Sequence, residues 1–221
     1  MKSFSLTFFI LFVSNFLFCQ DYENLKTKIN NLQEEISTQY ENADSIKKIA
    51  IIDSTKNILI NILRSEIFPF WYGTKWDFNG TSEVPKEGTI ACGYFVTTTL
   101  RDLGFEINRY KYAQMASDSM ILKLSSNVKR FSNAEIDEIK SYFEKQNNGI
   151  YITGLDSHTG FIVKTKDGLS FVHSILYQEI DGVVSQELIA NNIFSVSQYK
   201  VIGEIFQEEM ILNWLTGAKY D

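Results

Sequence analysis

The chain has 221 residues, of which 44% are hydrophobic and 14% aromatic, enough for one domain with a full core plus appendages. Its formal net charge is -6 and its pI about 5.1, with no basic patch, so nucleic-acid binding is not expected. Proline is scarce, at 2 residues, and no Pro- or Ser-rich linker, internal repeat or low-complexity tract divides the chain.

Residues 1–20 read as a signal peptide outside the fold. Lys2 precedes an apolar run from Leu6 to Phe18, broken only by Ser14 and Asn15. A run of about 13 residues falls short of the roughly 20 that span a bilayer and suits a signal-peptide core. An N-terminal anchor is the competing reading. Cys19 follows Phe16, Leu17 and Phe18, where a lipoprotein has small residues before its cysteine. Ordinary cleavage near Cys19 or Gln20 is therefore the expectation, and a membrane tether arises only if Cys19 is lipidated. Either route exports the protein to a periplasmic, cell-surface or secreted location. The mature chain then carries one cysteine, Cys92, and no internal disulfide, the pattern that flags a reactive thiol.

Residues 21–66 are expected to be helical. Tyr22, Leu25, Ile29, Leu32 and Ile36 recur at spacings of three and four. Asp44 or Ser45 caps a second helix bearing Ile46, Ile49, Ile52, Leu59, Ile62 and Leu63, and the pair forms a hairpin against the following domain. Residues 67–88 are aromatic and Gly-rich and read as a loop wall. A helix begins at Cys92, buries Phe95, Val96, Thr99, Leu100 and Leu103, and stops at Gly104.

Residues 105–148 are mixed and mostly helical, with Ser132 and Glu135 in capping-box spacing before Ile136, Ile139 and Phe143. Three strands follow in "GIYITGL", "HTGFIVKT" and "LSFVHSIL". A further strand near 198–203 and a closing helix over 204–216 complete an α+β pattern, with the main domain over 67–203 and an end segment over 204–221.

The two histidines, His158 and His173, fall on the last two strands of that trio. A hairpin turning near Gly168 brings both imidazoles to one face, toward the helix that starts at Cys92. A thiolate is the nucleophile of a cysteine hydrolase, and a helix N-terminus with a nearby imidazolium lowers a thiol pKa to about 3.5–7.5. One histidine then shuttles the proton, a third group orients it, and the Cys92 N–H meets the oxyanion.

From Gly73 to Ser174 these stretches resemble the NlpC-type, papain-like cell-wall cysteine peptidases. "GTKWDFNG" is similar to the family's approach to the cysteine, "CGYFV" to its nucleophile helix, "HTGFIV" to its histidine strand and "FVHS" to the strand of its third residue. The resemblance implies a papain-like core, with Cys92 as nucleophile, His158 as base and acid, and His173 as the orienting residue. It implies an amide in a peptidoglycan-type peptide as substrate and no cofactor. Trp76 stands where the family has a substrate-binding tyrosine. Trp76, Phe78 and Tyr94 are the candidate substrate contacts. The family's Asp and Ser-Gly around the cysteine are replaced by Ala91, Gly93 and Tyr94, which leaves the substrate open.

Three other readings stand beside this one. Cys92, His158 and His173 are also three donors of a type that zinc accepts, though no paired-ligand spacing supports a metal. The domain is otherwise a catalytically silent binding or scaffold module, or a thiol acyltransferase working on a different amide through the same thioester. Arg109 is either solvated or a partner for a substrate carboxylate, and Asp156 reads as a turn residue.

Overall fold

The computed structural model describes residues 4–188 and 192–220, with side chains described from residue 19 onward. The signal-peptide reading of residues 1–20 therefore lies almost entirely outside the described side chains. No described helix is long and apolar enough to cross a membrane.

Helix α1 spans Phe4–Glu41 and α2 spans Ser45–Ile62. Asp44 caps α2 by accepting a hydrogen bond from the Lys47 N–H. Tyr22, Leu25, Ile29 and Ile36 are buried, as a 3.6-residue stripe requires. Ile46 and Ile49 are not: they are 82% and 64% exposed, and the first half of α2 buries nothing. The helix also runs on past residue 66, through a π-helical turn over Leu63–Ile67 into α3, Phe68–Trp71. Burial of Phe68 and Trp71 draws the supposed loop into the helical layer, and Pro69 is tolerated in the first turn of α3.

Helix α4, Cys92–Asp102, is buried along nearly its whole length. α5 (Arg109–Ala113) and α6 (Ser117–Leu124) follow, then β1 (Val128–Ser132) and α7 (Ile136–Glu144). The expected capping box does not form: Ser132 ends β1, and Glu135 occupies the cap position without a side-chain bond. β2 (Gly149–Leu155), β3 (Thr159–Thr165), β4 (Gly168–Tyr177) and β5 (Ile180–Glu187) form a meander. α8 (Ile193–Val196), β6 (Tyr199–Glu204) and α9 (Glu208–Thr216) complete the described chain, so the closing helix starts four residues later than expected.

Among the described residues the strands form one six-stranded antiparallel sheet, ordered β1-β6-β2-β3-β4-β5, and the architecture is α+β. The two strands absent from the sequence reading, β1 and β5, are its edges. Edge strands keep one face and one side in water, so their apolar alternation is weak, and β1 carries Lys129 and Arg130 outward.

Both faces of the sheet are covered. On one, Ile150, Ile152, Phe161, Val163 and Val172 pack with α4, where the rings of Phe95 and Phe161 stand 6.0 Å apart. On the other, Tyr151, Ile162, Phe171, Phe194 and Ile202 pack with Ile139 and Phe143 of α7. The N-terminal helices brace α4 from behind. Tyr22 donates to the Asp102 carboxylate at 2.8 Å and accepts from the Trp71 indole at 2.9 Å, all buried.

Candidate active site

Cys92 is the first residue of α4. Its approach is a loop held by short bridges, Lys75 to Thr89 and Thr81 to Ile90, and by the Ala91 N–H donating to the Gly80 carbonyl at 2.9 Å. Gly80 is needed there, since a Cβ would lie 2.6 Å from the Ile90 nitrogen. Ser174 of β4 donates to the Ile90 carbonyl at 2.6 Å, which fixes the cysteine's approach to the sheet.

Cys92 is a partly exposed residue, and its thiol accepts from the backbone N–H groups of Thr159, Gly93 and Cys92 itself. These donors favour the thiolate, but burial outweighs them and pushes the thiol above its ordinary value. The expected lowered pKa is thus reversed in the resting site. The first turn of α4 supplies N–H groups, yet desolvation of a thiol under a packed sheet is the larger effect.

His158 immediately precedes β3, and His173 lies within β4. His158 Nε2 and His173 Nδ1 are 2.7 Å apart, and His173 Nε2 is 2.8 Å from Gln186 Oε1 on β5. The His173 ring is fully buried and stacks on Phe171 at 4.0 Å between centroids. Gly160 makes the room: a Cβ there would meet His173 Cβ and the Phe171 ring, each at 2.7 Å. Burial pushes both imidazoles well below the usual histidine value, and for His158 the neighbouring His173 adds to the effect. Both rings rest neutral.

The two imidazoles do share a face, but not the one expected. Val172 and Ser174 point to α4, so Phe171 and His173 point to the layer of α7 and α8. His158 stands just ahead of the first residue of β3. There it meets His173 on the far face and also lines the same clefts as Cys92.

Two clefts of about 520 Å³ each meet at Cys92, Gly93, Ala113, Ser157 and His158. Trp76, Phe78 and Tyr94 all line one of them, with Asn79, Thr81 and Gln114. Phe78 is 78% exposed, an apolar ring held in water in the cleft that Cys92 also lines. The Tyr94 hydroxyl accepts from Gln114 at 3.0 Å. The other cleft is lined by Met115, Ala116, Ser117, Asp118, Leu155, Asp156, Thr159 and Tyr199. A third cavity of equal volume, at the turn between β3 and β4, contains no cysteine or histidine.

Arg109 is neither solvated nor placed for a substrate. It is buried against Tyr94, its guanidinium 4.8 Å from the ring, and donates to Thr98, to the Thr81 and Ser82 carbonyls and to Glu83. It clamps the loop of the aromatic cleft onto α4. Gly93 has no room for a side chain, because a Cβ would lie 2.4 Å from the Ala113 carbonyl oxygen. The end of α5 thus sits directly over the residue after Cys92. Asp156 accepts from the Gln198 and Tyr199 N–H groups, as a turn residue does.

Among the described residues no group of three His, Cys, Asp or Glu is placed to hold a metal ion, and the facing nitrogens of His158 and His173 are spent on each other. Gln186 escaped the sequence reading, since its strand was not recognised and a glutamine in "VVSQE" carries no mark of a site. No protein-family model, curated protein or solved structure matches the chain.

Proposed function

We propose that this protein is an exported cysteine hydrolase with a papain-like, NlpC-type core, cleaving an amide bond in a peptide of the peptidoglycan type. One observation carries the reading. His158 is held by His173 at 2.7 Å through Nε2, and it shares its clefts with a cysteine thiol at the start of a helix. That is the order nucleophile, base and orienting residue of a thiol hydrolase.

In the first step the Cys92 sulfur bonds to the amide carbonyl carbon while its proton passes to His158 Nδ1. The Cys92 N–H is at hand for the oxyanion. The C–N bond then breaks, His158 returns the proton to the leaving amine, and a thioester remains on Cys92. Water attacks the thioester with His158 again as base, releasing the acid and restoring the thiol. Because the thiol rests protonated beside a neutral imidazole, proton transfer accompanies attack and no ion pair precedes it.

Neither cleft is lined by Lys or Arg among the described residues, while Asp118 and Asp156 line one of them. A carboxylate beside the scissile bond would find no cationic partner, so the clefts favour an uncharged stretch of peptide, with an apolar group against Phe78 and Trp76. The burial that raises the thiol favours a second reading, the silent binding module. Intact-mass analysis after incubation with activated esters and peptide amides separates them. A single acyl adduct that vanishes in Cys92→Ala supports the hydrolase; an unmodified wild-type Cys92 supports the silent module. Product analysis with added amines distinguishes hydrolysis from acyl transfer.

A further inference from the structure

We propose that Gln186 is a positioning residue of this site. Acting through His173, it fixes the tautomer of His158 and so leaves His158 Nδ1 bare to take the thiol proton. The inference rests on the reading of Cys92 as nucleophile and His158 as base.

A chain of hydrogen bonds runs inward from β5. Gln186 pairs with Phe171 in the β4–β5 register, which puts it on the face that carries His173. Its Oε1 is 2.8 Å from His173 Nε2. A carbonyl oxygen only accepts, so the proton of His173 is on Nε2 and its Nδ1 holds a lone pair. That lone pair is 2.7 Å from His158 Nε2, which must therefore donate. A neutral imidazole has one N–H, so His158 Nδ1 is left as an acceptor.

The reverse arrangement, with the amide nitrogen toward His173, would put a proton on both Nδ1 atoms. His158 would then have nothing with which to accept the thiol proton. The direction of the chain thus decides whether the base works, and Gln186 sits at the end that sets it. Packing leaves His173 little alternative. Its ring is fully buried and stacked on Phe171, and Gly160 gives it its room. The rings are held in place by contacts, and the amide selects where their protons sit.

The test uses the whole protein labelled with 15N-histidine, whose two imidazoles are the only ones present. Long-range 15N–1H spectra report each tautomer without any turnover, and the pH–rate profile of Cys92 acylation is recorded beside them. Wild type is expected to show both rings as Nε2–H. Gln186→Leu should give a mixture of tautomers and slow acylation roughly ten- to a hundredfold with KM unchanged. Gln186→Glu keeps the acceptor and adds a charge. It should restore the tautomer and move the acid limb of the profile to higher pH. If Gln186→Leu does not fold, Gln186→Asn, one methylene too short to reach His173, makes the same comparison. Wild-type tautomers and rate in the Leu or Asn variant would overturn the proposal, as would Nδ1–H rings in the wild type. Gln186-dependent tautomers in a protein whose Cys92 is never acylated would uphold the positioning and overturn the hydrolase reading.

Discussion

The two faces of the sheet solve opposite problems with alternate residues of the same strand. Toward α4, Val172 and Ser174 belong to a dense aromatic and aliphatic core that seats the helix beginning at Cys92. Toward α7 and α8, Phe171 and His173 bury a polar relay within a second apolar cluster. The thiol belongs to the first face and its supporting groups to the second. Only His158, ahead of the strand where alternation has not begun, reaches both. The thiol and the buried His173 thus belong to different cores, and one residue at a strand end joins them.

The largest separation of the two faces comes from paired truncations. Phe95→Ala, on the α4 face, should cost about 3–5 kcal/mol of stability through the cavity it leaves. Its effect on acylation per folded molecule should be small. His173→Ala should cut acylation by about a hundredfold or more, while His173→Asn retains part of it because an amide can still accept from His158. Urea titration and single-turnover kinetics on the same samples read both effects. Equal losses in stability and chemistry for both variants would dissolve the distinction.

A smaller change attacks the second face directly. Gly160→Ala places a methyl 2.7 Å from His173 Cβ and the Phe171 ring. It should destabilise by about 1–3 kcal/mol and displace the relay, lowering acylation more than an equally destabilising change in the α4 core. Activity loss no greater than the stability loss explains would remove Gly160 from the account.

The mildest test uses pH. The folded-state pKa of each histidine lies below its unfolded value of about 6.5, so the unfolded chain binds protons that the folded chain refuses. Stability should therefore fall as pH drops below about 6.5, by up to about 1.4 kcal/mol per pH unit for each histidine. Asp102, which burial raises, works in the opposite direction at lower pH. Denaturation at pH 6.5, 5.5 and 4.5 should show a shallower slope in His173→Asn than in wild type; identical slopes would place the imidazoles in water.

Much of the site was legible because it depended on local pattern. The helix at Cys92, the hairpin turn at Gly168 and the two histidine strands follow from periodicity and turn chemistry. What escaped depends on tertiary placement. Phe68 and Trp71 read as loop aromatics because burial, which extends the helix, has no local signature. Strand parity placed both imidazoles on one face but could not say which face α4 would cover. The raised thiol follows from desolvation, which outweighs the helix N-terminus only once the layers are packed. Gln186 lies on an edge strand with a positive-φ Gly182 near its start, where alternation is weak.

The most direct test of the account is the pH–rate profile of Cys92 acylation by a small activated ester, in wild type and His158→Ala. If His158 is the base for a thiol that rests protonated, the wild-type rate stays nearly flat from the thiol pKa down to the acid range. The variant follows the thiolate fraction alone and falls about tenfold per pH unit. Superimposable profiles for the two proteins would contradict the account and leave Cys92 a packing residue.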